Sequence, residues 1–139
     1  ATQRRDIVAT NLEMSSIWRR IRDDYGVRQV IFEVKNYKDV GADEYRQMST
    51  YLTRNYGTLG FIISKSDTNE PKKGAELDWC KEIYNEQKKL IIKLNAKFLA
   101  SMLSKMRAPE KYDVVDKNFA KILDAYERNY LSQKSNRSK

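Results

Sequence analysis

The segment Arg-Gln-Val-Ile-Phe-Glu-Val-Lys occupies residues 28–35 and is rich in the β-branched and aromatic residues that favour a strand. Side chains alternate along a strand, so Glu33 and Lys35 are expected on one face and Val34 on the other. The polar residues 36–38 follow and predict a loop. Two opposite charges are therefore predicted side by side where a core strand reaches the surface.

Three further segments favour strands, at 4–11, 58–64 and 90–94. The last two are nearly continuous apolar runs, which is the pattern of strands covered on both faces. Together with 28–35, these segments predict a sheet of about four or more strands.

Five stretches between and after the strands have the apolar spacing of amphipathic helices. The first begins at a cap on Ser15 or Ser16 and extends to about 25, and the second covers about 41–56 and ends at Gly57. The third follows Pro71, the fourth extends from Asn95 to before Pro109, and the last covers about 116–131. The side chains expected to face inward are, in chain order, Ile17, Trp18, Ile21, Tyr25, Tyr45, Met48, Leu52, Leu77, Cys80, Ile83, Tyr84, Phe98, Leu99, Met102, Leu103, Met106, Phe119, Ile122, Leu123, Tyr126 and Tyr130.

Strands that alternate with helices predict an α/β fold, with a central mixed sheet flanked by helices and a helical C-terminal part. One domain is expected over 1–131, and residues 132–139, which hold no apolar side chain, are expected to form a flexible tail. The chain enters its first strand almost at once. We therefore expect it to be a fragment of a larger protein whose N-terminal elements are missing.

The composition excludes several kinds of site. The chain has no histidine and a single cysteine, Cys80, which rules out Ser-His-Asp or Cys-His catalysis and Cys- or His-based zinc sites. A bound metal would have oxygen ligands, as magnesium, manganese and calcium prefer. No apolar run approaches the ~18 residues that span a bilayer, and no signal-peptide pattern is present, so a cytoplasmic protein without membrane contact is expected.

The positive charge is concentrated in the second half of the chain. Residues 71–139 hold 16 Lys and Arg against 9 Asp and Glu, which is +7 of the total net charge of +8. A basic surface suits a polyanion such as DNA, because phosphate contacts release counterions. A solvated lysine-rich surface explains the same charge equally well.

Hydrolysis of a phosphodiester needs an attacking water, charge stabilisation at the phosphoryl oxygens and help for the leaving oxygen. Two carboxylates can hold magnesium for this purpose, and a nearby ammonium can orient the water. Glu33 and Lys35 provide one carboxylate and one ammonium on the same strand face. Asp6, on the predicted strand 4–11, would complete a carboxylate pair if the two strands are neighbours. A plain ion pair between Glu33 and Lys35, and a surface pair between Arg5 and Asp6, are the alternatives.

The order Asp6, Glu33-Val34-Lys35, Gln47 and Tyr51, followed by the hydrophobic strand 59–64, resembles the PD-(D/E)XK or restriction-endonuclease-like superfamily. Gln47 and Tyr51 are four residues apart on one helix and resemble the Q-x-x-x-Y motif of the exonuclease and Mrr-like subset. The resemblance covers about residues 4–65. Arg5 stands where the family has a proline, and the helix and strand that usually precede the aspartate are missing.

The resemblance implies a Mg²⁺- or Mn²⁺-dependent DNA endonuclease, the effector domain of a bacterial restriction or anti-phage defence protein. By the same resemblance, Asp6, Glu33 and the Val34 carbonyl would bind the metal, and Lys35 would position the attacking water. Gln47 would line the site, and Tyr51 would support the loop or contact a phosphate.

Further loop residues are candidates for contact with DNA, and a simple connecting loop is the alternative. The candidates are Asn36, Tyr37 and Lys38 after the motif, and Lys65, Lys72 and Lys73 around the loop after the third strand. One site cuts one strand, so a homo-oligomer or a larger multidomain protein is expected.

Two other interpretations remain open: a catalytically inactive nucleic-acid-binding or assembly module of the same fold, and a domain that binds only protein. Trp18 and Trp79 are expected in the core rather than as base-stacking platforms, and Cys80 is expected to be buried and inert.

Overall fold

The structure is a computed structural model that describes the backbone of residues 4–131 and the side chains of residues 6–130. It is α/β, with the strands and helices alternating along the chain. The strands are β1 (Arg4–Thr10), β2 (Gln29–Lys35), β3 (Leu59–Ser64) and β4 (Leu90–Asn95). The helices are α1 (Ser16–Tyr25), α2 (Ala42–Tyr51), α3 (Ala75–Gln87), α4 (Ala96–Lys105) and α5 (Tyr112–Ala125). Short 3₁₀ turns lie at Arg54–Tyr56 and Pro109–Lys111, and a π-helical segment, Tyr126–Leu131, follows α5.

In the described residues the strands form one mixed sheet in the order β1-β2-β3-β4. β1 is antiparallel to β2, and the other neighbours are parallel. Each predicted strand agrees with the structure to within one residue at either end. The predicted fold class is confirmed: a four-stranded mixed sheet is flanked by five helices, consistent with a restriction-endonuclease-like arrangement.

The two faces of the sheet are covered by different helices. The face that carries Glu33, which we call the Glu33 face, lies under α2 and α3. A Cβ added at Gly60 would meet Met48 Sδ at 2.8 Å and Leu52 Cδ2 at 2.9 Å, so α2 approaches the sheet too closely here for any larger residue. Glu76 of α3 reaches the same face.

The opposite face carries Phe61 and lies under α1, α4 and α5. Phe119 of α5 is the centre of this layer: its ring lies 5.6 Å from Trp18, 6.4 Å from Phe61 and 5.8 Å from Phe98. Trp18 is therefore a core residue, as predicted. Burial of these large apolar surfaces is the main force that holds the helices on the sheet.

The two edges of the sheet differ. At the β4 edge, the Tyr126 hydroxyl accepts a hydrogen bond from the Lys93 N–H at 3.0 Å and donates one to the Asn69 carbonyl at 3.0 Å. The Asn95 N–H donates to Asn69 Oδ1 at 2.7 Å. Side chains and the loop after β3 therefore cap this edge. At the other edge, β1 is exposed along residues 6–10.

The π-helical segment also joins distant parts of the chain. Glu127 accepts a hydrogen bond from the Arg20 guanidinium at 2.5 Å and another from the Tyr25 hydroxyl. These contacts attach the C-terminal end of the described chain to α1. Burial and the contact with Glu127 raise the pKa of Tyr25 well above its ordinary value.

Some predicted boundaries and faces were wrong. α2 ends at Tyr51 and not near 56, because the backbone leaves the helix at Leu52, whose ψ is +79°, before it turns at Arg54. Leu103 and Met106 are 60% and 45% exposed, since the second half of α4 has no described element beyond it.

The last helix was also placed inaccurately. It begins at Tyr112 rather than 116, and 126–131 is π-helical. The predicted tail 132–139 lies outside the described residues. Within the described range, none of the helices combines the length and the apolar character needed to cross a bilayer.

Candidate active site

The antiparallel pairing of β1 with β2 places Asp6 directly opposite Glu33. Directly opposed residues lie on the same face of a sheet, with their Cβ atoms about 4.5–5.5 Å apart. The two carboxylates that the sequence singled out therefore start from adjacent positions on the Glu33 face. Their exposure differs: Asp6 is exposed, whereas Glu33 is fully buried.

Glu33 and Lys35 form a buried ion pair. Lys35 Nζ lies 3.1 Å from Glu33 Oε2, and the two side chains are 1% and 0% exposed. Alternation along β2 brings them to the same face, as the sequence predicted. Removal of one partner from a buried pair costs about 3–5 kcal/mol, because the remaining charge has lost both water and its counter-charge.

Gln47 and Tyr51 are half-buried on α2. Arg46 lines a cavity between α2 and α3 together with Trp79 and Ile83, so this flank of α2 faces α3. Successive helical residues are turned by about 100°, which puts Gln47 and Tyr51 on the flank turned away from α3. Because α3 packs over β4, this flank is the one directed away from the β4 edge of the sheet.

Val34 points to the opposite face and is half-buried. Its backbone lies between β1, where it pairs with Arg5, and β3, where it pairs with Ile63. The Val34 carbonyl, which was expected to assist metal binding, therefore belongs to the sheet. Val34 is the last residue of β2 that pairs with β3.

The donor set of this site consists of oxygen atoms. In the described part of the chain there is no group of three or more His, Cys, Asp or Glu residues that could hold a metal. Asp6 and Glu33 nevertheless provide two opposed carboxylates, and a magnesium ion commonly takes one or two carboxylates while it keeps several waters. Oxygen ligands of this kind are those that magnesium prefers, although the Glu33 carboxylate is fully buried and paired with Lys35.

The loops after β2 and β3 meet beyond the carboxyl ends of these strands. The Lys65 N–H donates to the Tyr37 carbonyl at 3.0 Å, and the Tyr37 hydroxyl donates to Glu44 at 2.8 Å. Tyr37 is half-buried, while the other residues expected near DNA in these loops are exposed, namely Asn36, Lys38, Lys65, Lys72 and Lys73.

Acidic side chains accompany these lysines. Asp39, Asp67 and Glu70 are exposed in the same two loops, and Lys72 Nζ lies 3.8 Å from Asp39 Oδ1. The surface is therefore of mixed charge, which weakens its attraction for a phosphate backbone relative to four unaccompanied lysines.

A second buried acid–lysine pair lies on the Glu33 face and was not predicted. Lys93 Nζ lies 3.0 Å from Glu76 Oε2 and 3.3 Å from Oε1, and the Tyr45 hydroxyl donates to Oε2 at 2.7 Å. Burial is the main reason that the pKa of Tyr45 lies well above its ordinary value. Two sequence signals existed: Lys93 interrupts an apolar strand, and Glu76 lies four residues before Cys80 on the inward stripe of α3.

Cys80 is buried, with Sγ 3.6 Å from the Ile91 carbonyl. Burial raises the pKa of its thiol to about 12, so the reactive thiolate is scarce at neutral pH. Trp79 is half-buried against Tyr45 at 6.2 Å, so it packs against the core, as predicted.

No family model matches the chain, and no solved structure matches it significantly. The chain is similar to a protein of Escherichia coli (strain K12) named "Putative transposon gamma-delta 80.3 kDa protein", with 47% identity over 139 residues. The match covers 100% of this chain and 20% of that protein. The chain thus spans about a fifth of the length of the curated relative it matches.

Proposed function

We propose that this chain is a Mg²⁺-dependent DNA endonuclease domain of the PD-(D/E)XK type. The observation that carries the proposal is the register of β1 on β2, with Asp6 opposite Glu33 and Lys35 on the same face beside Glu33. Gln47 and Tyr51, half-buried on the flank of α2 turned away from α3, support it. We place the domain in a bacterial restriction, anti-phage defence or transposon-borne protein. The name of the E. coli relative supports a transposon-borne protein.

Asp6 and Glu33 would hold the ion, together with the Val34 carbonyl. Magnesium, when bound, supplies charge neutralisation at the phosphoryl oxygens and makes a bound water more acidic. Lys35 carries an ammonium that orients the attacking water and offsets negative charge as it develops. Tyr51 and Gln47 would contact the phosphate from the flank of α2.

The exposure of the site supports entry of substrate from the β1 side. Asp6 is exposed, and no helix within the described range covers β1 on the Glu33 face. A DNA strand that lies along β1 would meet Asp6 first. Glu33 and Lys35 lie deeper, under α2.

Asp6→Asn is the sharpest test, because Asp6 is exposed and its replacement leaves the buried core intact. We expect the variant to lose nicking of supercoiled plasmid in Mg²⁺ by at least about a hundredfold, while its thermal melting temperature stays unchanged. Alanine substitution of Glu33 or Lys35 is less suitable, since loss of the buried pair alone destabilises the fold.

Asp23→Asn is the matched control. Asp23 is an exposed aspartate on α1, which packs on the opposite face of the sheet. We expect wild-type nicking from this variant. Full nicking by Asp6→Asn, or equal losses in both variants, would refute the assignment of the site.

A second candidate is an inactive nucleic-acid-binding or assembly module of the same fold. Complete burial of Glu33 and Lys35 favours it, because a buried pair at 3.1 Å is also a stable structural arrangement. Calorimetric titration with Mg²⁺ separates the two candidates. Absence of Mg²⁺ binding, together with salt-sensitive DNA binding, would support the inactive module.

A further inference from the structure

The central pair of the candidate site is closed off from solvent. The Glu33 and Lys35 side chains are 0% and 1% exposed, although Lys35 is the last residue of β2. Lysine is almost never fully buried, and the end of a strand is ordinarily where a sheet meets water. A magnesium ion with its waters does not reach this pair in the closed conformation. A further segment of the chain must therefore cover the end of β2 on this face.

Residues 36–41, which we call the strap, are in position to cover it. They join the end of β2 to α2, which begins at Ala42. Because α2 packs on the Glu33 face, against Gly60 of β3, the strap has to cross that face directly beyond Lys35. Val40, within the strap, is 3% exposed and anchors it in the core.

Hydrogen bonds fasten the strap at both of its sides. The Tyr37 hydroxyl donates to Glu44 Oε2 at 2.8 Å, and the Gly41 N–H donates to Oε1 of the same side chain at 2.8 Å. On the other side, the Tyr37 carbonyl accepts a hydrogen bond from the Lys65 N–H at 3.0 Å. The strap is thus attached to α2 through a carboxylate and to the loop after β3 through its backbone.

The contacts of the strap differ in strength. A hydrogen bond to a carboxylate is stronger than one between neutral groups, so the bond from Tyr37 to Glu44 contributes substantially. The strap also holds Asp39, whose Oδ1 lies 3.8 Å from Lys72 Nζ. Both of these side chains are exposed, and a pair of this kind contributes little. The Tyr37 hydroxyl is therefore the group whose loss should loosen the strap.

We propose that the strap closes the candidate site and that the hydrogen bond from Tyr37 to Glu44 keeps it closed. In the closed form Glu33 is paired with Lys35, and the pair has no contact with solvent. Opening separates Tyr37 from Glu44 and exposes the Lys35 ammonium. One consequence rests on the proposed function: Mg²⁺ affinity then depends on the fraction of chains that are open.

Lys93 provides an internal comparison for Lys35. It is also buried on the Glu33 face, and it is also paired with a carboxylate, that of Glu76. It lies inside β4 rather than at the end of a strand, and α3 covers it. Opening of the strap should therefore expose Lys35 and leave Lys93 protected, whereas a general loosening of the fold should expose both.

Brief treatment with a dilute acylating reagent, followed by mass spectrometry, measures access to both lysines in one sample without Mg²⁺ or cleavage. Tyr37→Phe removes only the hydroxyl. We expect it to raise the labelling rate of Lys35 by about tenfold or more, as loss of a hydrogen bond to a charged group implies. The rate at Lys93 should not change. Tyr112→Phe, at an exposed tyrosine where α5 begins on the opposite face, is the matched control and should label as the wild type does.

Three outcomes overturn the strap as the closing element. The first is an unchanged labelling rate of Lys35 in Tyr37→Phe. The second is a parallel rise at Lys35 and Lys93. The third is wild-type labelling of Lys35 as fast as that of the exposed Lys97.

Calorimetric titration with Mg²⁺ separates this proposal from the proposed function. If both hold, Tyr37→Phe should bind Mg²⁺ more tightly, by the factor by which its Lys35 labelling rises. Faster labelling of Lys35, with no Mg²⁺ bound by either protein, supports the strap and refutes the metal site. Mg²⁺ binding by the wild type, with Lys35 labelling unchanged in the variant, supports the metal site and overturns the strap.

Discussion

Glu76 and Lys93 illustrate how this protein keeps charge inside its core. The carboxylate accepts hydrogen bonds from the Lys93 ammonium and from the Tyr45 hydroxyl, so both of its oxygens have donors. A buried charge is tolerated when its counter-charge and hydrogen bonds replace the lost water. The network links α2, α3 and β4 through polar atoms alone.

Glu76→Ala should lower the free energy of unfolding by about 3–5 kcal/mol, because it leaves the Lys93 ammonium buried without a counter-charge. Replacement of both partners, as Glu76→Leu/Lys93→Leu, should recover most of the loss. Urea unfolding measures both values. Asp124→Ala, which breaks an exposed pair with Arg128, is the control and should change stability by less than about 1 kcal/mol. If Glu76→Ala lowers the free energy of unfolding as little as the control does, Glu76 and Lys93 do not act as a buried, coupled pair.

For individual residues, one of the two buried ion pairs was predictable from the sequence and the other was not. Glu33 and Lys35 are two apart on one strand, and alternation is sufficient to place them on the same face. Glu76 and Lys93 are separated by 17 positions and meet only because α3 packs over β4. Local spacing carries no information about such a contact, although a lone charge in an apolar run indicates that some partner exists.

The strands were predictable because long apolar runs in this chain occur where a sheet is covered on both faces, as in β3 and β4. The residue at which α2 ends was not predictable from the sequence. Leu52 continues the apolar spacing of the helix and is buried, but the backbone has already left the helix. The turn that follows is specified by contacts with the end of α1, which the local pattern does not encode.

Gly57 is the tightest point of that turn. Its φ is +66°, and an added Cβ would lie 2.3 Å from the Tyr25 carbonyl oxygen and 2.6 Å from the Gly26 carbonyl carbon. Both atoms belong to backbone that cannot move aside cheaply. The glycine thus allows the turn after α2 to pack against the end of α1.

Gly57→Ala should lower the melting temperature severely, because it combines the strain of a positive φ with a backbone clash. Gly74→Ala is the matched control: its φ is +98°, but nothing lies within 4 Å of the added Cβ. Gly74→Ala should therefore cost only the conformational strain, about 1–3 kcal/mol. Calorimetric melting of the two variants checks the difference. Similar losses would show that the contact with α1 is unimportant.

For the molecule as a whole, buried phenols and a buried thiol determine the response to alkaline pH. Burial raises the pKa values of Tyr45 and Tyr126 well above the ordinary 10.0. The pKa of Cys80 rises from 9.0 to about 12, and that of Tyr130 rises from 10.0 to about 12, in both cases mainly through burial. In the folded chain these four side chains therefore keep their protons to a higher pH than in the unfolded chain.

The sign of the effect follows from proton binding. Between about pH 9 and pH 12 the unfolded chain releases protons that the folded chain retains, so stability falls as the pH rises. Below about pH 9 the contribution is fully present. Urea midpoints at about pH 7 and about pH 11 should show a clear fall, and Tyr126→Phe should show a shallower one. An unchanged wild-type midpoint would contradict the burial of these groups.

Tyr126 and Glu127 are adjacent, yet one closes the far edge of the sheet and the other attaches α1. Their partners, Lys93 and Arg20, precede them by 33 and 107 positions. During translation, the hydrogen bonds of Tyr126 to the β4 edge and of Glu127 to α1 therefore form only after nearly all the described residues have been synthesised. Until then the Lys93 N–H at the β4 edge has no Tyr126 hydroxyl as partner, so the segment Tyr126–Leu131 is the last described part to complete the packing of the sheet and of α1.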